Sequence, residues 1–149
     1  MKGEYNNGVG NGEVKEMHLI KSRERVKNFA EVFTPKHIVE DMCDLLPEES
    51  FKPSVTFLEP AAGEGAMVLV ILERKFKNCK CRKDFTTALK SVYAMELQAD
   101  NVNILIRNII ELCNKYFKPS AKDIEIINDH CIQCDSLKVM KLLEVMQTE

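Results

Sequence analysis

No stretch of the 149-residue sequence is apolar for long. The longest run, Ala66–Leu72, falls far short of the roughly 20 residues a helix needs to span a bilayer. Met1–Gly12 is rich in Asn and Gly where an export signal is apolar, so a cytoplasmic protein with no membrane partner is expected. An excess of one charge is missing too: 21 Lys and Arg stand against 23 Asp and Glu, a net charge of −2. The chain as a whole therefore carries no electrostatic footprint for gripping phosphate backbones. Glycine is scarce outside residues 1–12, which hold four of the six and form an expected flexible tail over residues 1–13. The six cysteines, in a chain that is 45% hydrophobic and has no export signal, read as reduced thiols and not as a disulfide framework.

What is present is the pattern of one α/β domain over residues 14–149, within the usual size of roughly 100–200 residues. Val14–Asn28 is charged, with scattered apolar residues, and suits a helix docking through one narrow face. Thr34 and Pro35 read as the N-cap and first residue of a helix carrying Ile38, Val39, Met42, Leu45 and Leu46 on one face until Pro47. Val55–Leu58 is a short apolar run stopped by Glu59 and Pro60, the expected form of a strand buried on both faces. Ala66–Lys77 then reads as a deeply packed helix. A second strand is expected over Ser91–Met95 and a third over His130–Cys134. Between them, Val102, Leu105, Ile106, Ile109, Cys113 and Tyr116 share one face of a long helix, Asp100–Phe117, closed by Pro119. Strands alternating with helices predict a parallel sheet with right-handed crossovers.

Ligands of open parallel sheets bind at the carboxyl ends of the strands. Here each expected strand ends in an acid: Glu59, Glu96 and Asp135. Carboxylates accept hydrogen bonds from hydroxyls and amines and repel phosphates, so the site suits a nucleoside-like ligand with a cationic portion. The loop Glu59-Pro60-Ala61-Ala62-Gly63-Glu64-Gly65 lacks the Lys-Ser/Thr of a Walker loop. It also has Val68 where a dinucleotide fingerprint places its third small residue.

Three segments in order, Asn28–Pro35 (NFAEVFTP), Phe57–Gly65 (FLEPAAGEG) and Val92–Leu97 (VYAMEL), resemble successive motifs of the N6-adenine DNA methyltransferases of restriction-modification systems. Cys131–Leu137 (CIQCDSL) resembles the next motif, although Cys134 stands where the family often has glycine. The resemblance covers about Phe29 to Leu137. It implies a Rossmann-like S-adenosylmethionine (SAM)-dependent methyltransferase fold, three-layered around a parallel sheet and incomplete here. It also implies SAM as cofactor. Phe33 and Thr34 would border the methionine end, and Glu59, Pro60, Ala61, Gly63 and Gly65 would pass backbone close to it. Glu96 would accept the ribose hydroxyls, Leu97 would pack on the adenine, Asp135 would accept the adenine amino group and Ser136 would flank the ring.

Methylating adenine also requires groups that hold a flipped base. In the family these come from an Asn-Pro-Pro-Tyr/Phe motif after the position of Asp135. None of the five prolines here is adjacent to another, so that motif is absent. No catalytic residue is therefore assigned, and the chain alone is expected not to methylate DNA. It could be a fragment, one piece of a split enzyme, or a non-catalytic SAM-binding or interaction module that regulates restriction. DNA is an expected partner only after completion by a catalytic and target-recognition part. In the family's sheet the first strand lies beside a fourth, which leaves Val55–Leu58 as an open edge for a second copy or a completing subunit.

Three further patterns are set aside. The cluster Arg74, Lys75, Lys77, Lys80, Arg82 and Lys83 lies at the far end of a helix from the strand ends and reads as a solvated face. Cys131 and Cys134, three apart on a strand, are separated by roughly 10 Å, too far to share a metal, and Cys79 and Cys81 do not change this. His18, His37 and His130 have no ligand spacing, so no metal site is assigned.

Overall fold

The computed structural model describes residues 20–29 and 31–147, with Phe29 described by its backbone only. The expected tail and residues 14–19 lie outside that range. The described chain runs α1 (Arg23–Phe29), α2 (Lys36–Asp44), a 3-10 turn (Glu48–Phe51), β1 (Phe57–Glu59), α3 (Ala66–Lys77), α4 (Arg82–Lys90), β2 (Val92–Glu96), α5 (Ala99–Tyr116), α6 (Ala121–His130), β3 (Cys131–Gln133) and α7 (Ser136–Met146). The strands form one parallel sheet in the order β1-β2-β3, with Phe57 opposite Val92 and Ala94 opposite Cys131.

The expected α/β alternation is present, with three additional helices, α4, α6 and α7. α4 escaped the sequence reading because it buries only Ala88 and Leu89, too few apolar residues to set a period. α6 begins at a reciprocal capping pair: Ser120 Oγ accepts from the Asp123 amide while the Asp123 carboxylate accepts from the Ser120 amide. His130 ends that helix instead of opening a strand. Thr34 is not a helix cap. Pro35 occupies the N-cap position of α2, whose first turn has no side-chain cap.

A strand order that advances in one direction, joined by crossovers of one hand, puts every connecting helix on the same face. That face is the core. Val92, Ala94 and Cys131 point into it and meet Val68, Leu72, Leu105, Ile109 and Ile127, all buried. The opposite face carries Leu58, Tyr93 and Ile132 exposed, so the expectation of a first strand buried on both sides is corrected, and among the described residues the third layer of the expected, incomplete three-layer fold is not formed on that face. β1 is also shorter than expected, because Val55 and Thr56 lie outside it. Among the described residues no helix is long and apolar enough to cross a membrane.

The basic cluster is not one solvated face either. The Lys75 side chain is 0% exposed, and its ammonium donates to the carbonyls of Lys52, at 2.9 Å, and Val55. Arg74 pairs with Asp44 at 2.6 Å, and Arg82 pairs with Asp123. These cations bind the segment before β1 and the helices to one another.

Candidate functional site at the strand ends

After β1 the chain turns tightly. Glu59 Oε1 accepts from the Ala61 amide at 3.0 Å, so this acid folds back on its own loop. The Ala62 amide donates to the Met95 carbonyl at 2.9 Å and carries the loop along the end of β2. Gly63 and Gly65 both sit at positive φ, +56° and +101°. Only glycine adopts these angles cheaply. A Cβ on Gly65 would stand 2.4 Å from Leu105 Cδ1, while one on Gly63 would press against the Phe33 ring at 3.3 Å. The immediate need for glycine is thus turn geometry and, at Gly65, close packing of the turn on α5.

Glu96 is the acid that organises the site. Its Oε2 accepts from the Gly63 amide and its Oε1 from the Gln98 amide, both at 2.8 Å. Each carboxylate oxygen has two acceptor positions, so the group retains capacity for ligand hydroxyls. The Glu96 carbonyl in turn accepts from the Cys134 amide at 3.0 Å, which brings the start of α7 beside it. There Asp135 caps α7, its Oδ1 accepting from the Lys138 amide at 3.3 Å, and Ser136 is the first helical residue. Leu97, 47% exposed, offers an apolar surface next to Glu96.

The structure therefore places Phe33, Gly63, Glu96 and Leu97 around one corner of the sheet, with Asp135 and Ser136 adjoining through Cys134. Pro60 is half-buried and Ala61 exposed in the loop wall; Thr34 is exposed beside Phe33. Sequence reasoning missed the second ring of polar residues. Asn101, wholly buried, donates to Glu31 Oε1 at 2.7 Å and lies 3.4 Å from Glu96 Oε1. Its signal was available: with Leu105 and Ile109 it continues the apolar stripe of α5 at steps of four, a position where an amide requires a partner. Lys21 and Arg25 join this ring from the segment ahead of Phe33. Asp100, paired with Arg25 and then Lys21, is held well below the usual carboxylate range.

A broad cleft lined by Glu48, Lys52, Asn78, Asp84 and Thr87 opens at the opposite, amino-terminal end of the strands. Its mixed charges suggest no single ligand chemistry. Among the described residues no three His, Cys, Asp or Glu side chains group as a metal site. Burial pushes the Cys131 thiol up to about 12 and leaves it a packing group. Comparisons with protein-family models, with curated proteins and with solved structures give no match.

Proposed function

We propose that the chain is the SAM-binding portion of an N6-adenine DNA methyltransferase of restriction-modification type. The observation that carries the reading is the link between Glu96 at the end of β2 and the Gly63 amide in the left-handed turn after β1. Such a link sets a hydroxyl-accepting carboxylate beside bare backbone. Glu96 would accept the ribose hydroxyls, and Leu97 would pack on the adenine. Asp135 would take the adenine amino group, with Ser136 at the ring's flank. Phe33 and Thr34, with the Glu59–Gly65 loop, would border the methionine end. The donor set fits the group: acceptors face hydroxyls and amines, and no phosphate-binding lysine lies in the loop. SAM would supply the activated methyl group.

The Asn-Pro-Pro-Tyr/Phe motif is lacking, so the acceptor base must be held by a completing polypeptide. The exposed row Leu58, Tyr93 and Ile132 and the free edge of β1 are where it would dock. A parallel strand added at β1, on the far side from β2, reverses the direction of strand order, and its crossover would then cover the bare face. Alone, the chain would act as a SAM-binding module without methylating DNA.

Calorimetry tests the cofactor directly. Wild-type protein is expected to bind SAM and S-adenosylhomocysteine. Glu96→Ala should lose roughly 1.5–3 kcal/mol, about ten- to hundred-fold, through the charged hydrogen bonds to the ribose. Melting curves must accompany it, because Glu96 also holds the Gly63 and Gln98 amides. Equal affinity in a folded Glu96→Ala protein, or no heat from wild type at high SAM, would overturn the reading.

A further inference from the structure

Residues 20–28 are fastened by charge and hardly at all by packing. None of these side chains is buried, and among the described residues the core begins only at Val39. Lys21 Nζ donates to Asp100 Oδ2 at 3.0 Å and to Asn101 Oδ1 at the start of α5. It also lies 3.2 Å from Glu64 Oε1 in the glycine loop. The same ammonium stands 5.8 Å from the centre of the Phe33 ring. Arg25 is a fork: Nη1 and Nη2 donate to Asp100 at 2.8 and 3.2 Å, while Nε and Nη2 donate to Glu31. Glu31 is joined through Asn101 to Glu96. Two cations thus tie α1 to the glycine loop, to α5 and to the stretch before Phe33, which together border the strand-end site.

Partly exposed ion pairs are worth about 0–1 kcal/mol each and weaken with salt, so a segment held this way opens locally far more readily than the core behind it. We propose that residues 20–28 are a hinged cover over the strand-end site, latched by Lys21 and Arg25, which lifts to admit an adenosyl amino acid and closes on it. The cover rests on the SAM reading above. Its closed form keeps Phe33 against Gly63, so the latch and the ligand's methionine end share one wall.

The segment carries its own probe, because Lys21, Arg23, Arg25 and Lys27 are tryptic sites. Full-length wild type and Asp100→Asn are digested briefly at low salt and at about 0.5 M salt, where screening acts within ~4 Å. Each digest is run with and without SAM, and SAM binding is measured by calorimetry in parallel. Asp100→Asn removes the negative charge that both cations share and leaves every cleavage site in place. Cleavage in residues 21–27 is expected to quicken roughly tenfold with salt in wild type and with Asp100→Asn at low salt. Saturating SAM is expected to slow wild-type cleavage severalfold. Rates indifferent both to salt and to the substitution would overturn the latch. SAM binding that leaves cleavage unchanged would overturn the cover while the cofactor reading stands. No SAM heat from either protein would overturn the cofactor reading and the cover with it. The salt response of wild type keeps the test decisive even if Asp100→Asn folds poorly.

Discussion

The two ends of the sheet solve the same problem in opposite ways. At the amino end, the carbonyls of the irregular chain before β1 are met by a cation, the wholly buried Lys75 ammonium, which has no carboxylate partner among the described residues. At the carboxyl end, the amides of the irregular chain after β1 and β2 are met by an anion, Glu96, within reach of solvent and rimmed by exchangeable ion pairs. A buried cation on fixed carbonyls is a permanent brace. A half-buried acid with acceptor capacity to spare is a place where a ligand can enter. Under the proposed function, structure falls to one end and recognition to the other, although each is built from one charged side chain on backbone groups.

The largest effect is expected where the carboxyl end is most tightly packed. Gly65→Ala would put a side chain into a left-handed conformation, costing about 1–2 kcal/mol. It would also drive a methyl into Leu105, for a further loss of about 1–3 kcal/mol. Denaturant unfolding should show the sum. A loss below about 1 kcal/mol would mean that the turn and α5 separate easily, and would weaken the contrast between a packed turn and a latched rim.

Next comes the brace. Lys75→Met keeps the length of the side chain and removes its donors, leaving the Lys52 and Val55 carbonyls without this partner, at a cost of up to about 1–3 kcal/mol. Burial pushes the Lys75 ammonium down to about 8. Between about pH 8 and the ordinary lysine value near 10.4, the unfolded chain therefore binds more protons at this site than the folded one. Stability contributed by Lys75 rises with pH across that window. The deficit of Lys75→Met relative to wild type should widen from pH 8 to 10. A constant deficit would show that Lys75 is solvated and that the two ends are more alike than described.

The smallest effect belongs to the latch. The depressed Asp100 carboxyl contributes fully above the ordinary aspartate value near 3.9, and its contribution fades as pH falls below that value. Hydrogen exchange of α1 amides should accelerate on acidification below about pH 4 relative to α5 amides. Equal responses in α1 and α5 would place α1 in the core's cooperative unit.

Much of the frame was legible because it follows from periodicity. Ala66–Lys77 was read to the residue, and the long amphipathic helix to within one residue at each end, since their apolar stripes are continuous. The acids ending β1 and β2 were legible from the abrupt change from apolar to charged. The short β1 was not, because Val55 and Thr56 have strand chemistry while their carbonyl and chain direction are set by Lys75, distant in sequence. The Thr34 cap failed because Pro35 takes the cap position itself. The bare face was hidden as well: Leu58, Tyr93 and Ile132 are apolar or aromatic like core residues, and only strand order reveals that no described helix covers them. At the site, single strand-end residues were visible one by one. The network joining Glu31, Asn101, Lys21, Arg25 and Asp100 was not, since it depends on pairs some 70 to 80 residues apart.

Whether the Glu96–Gly63 corner holds SAM can be read from the backbone amide resonances of the whole protein during titration with SAM. Saturable shifts are expected at Gly63, Gly65, Leu97 and Gln98, with smaller ones at Cys134 and Asp135, while the amides around Lys75 stay still. Shifts centred on Lys52, Ser54 and Asn78, or none at saturating SAM, would contradict a SAM site at that corner.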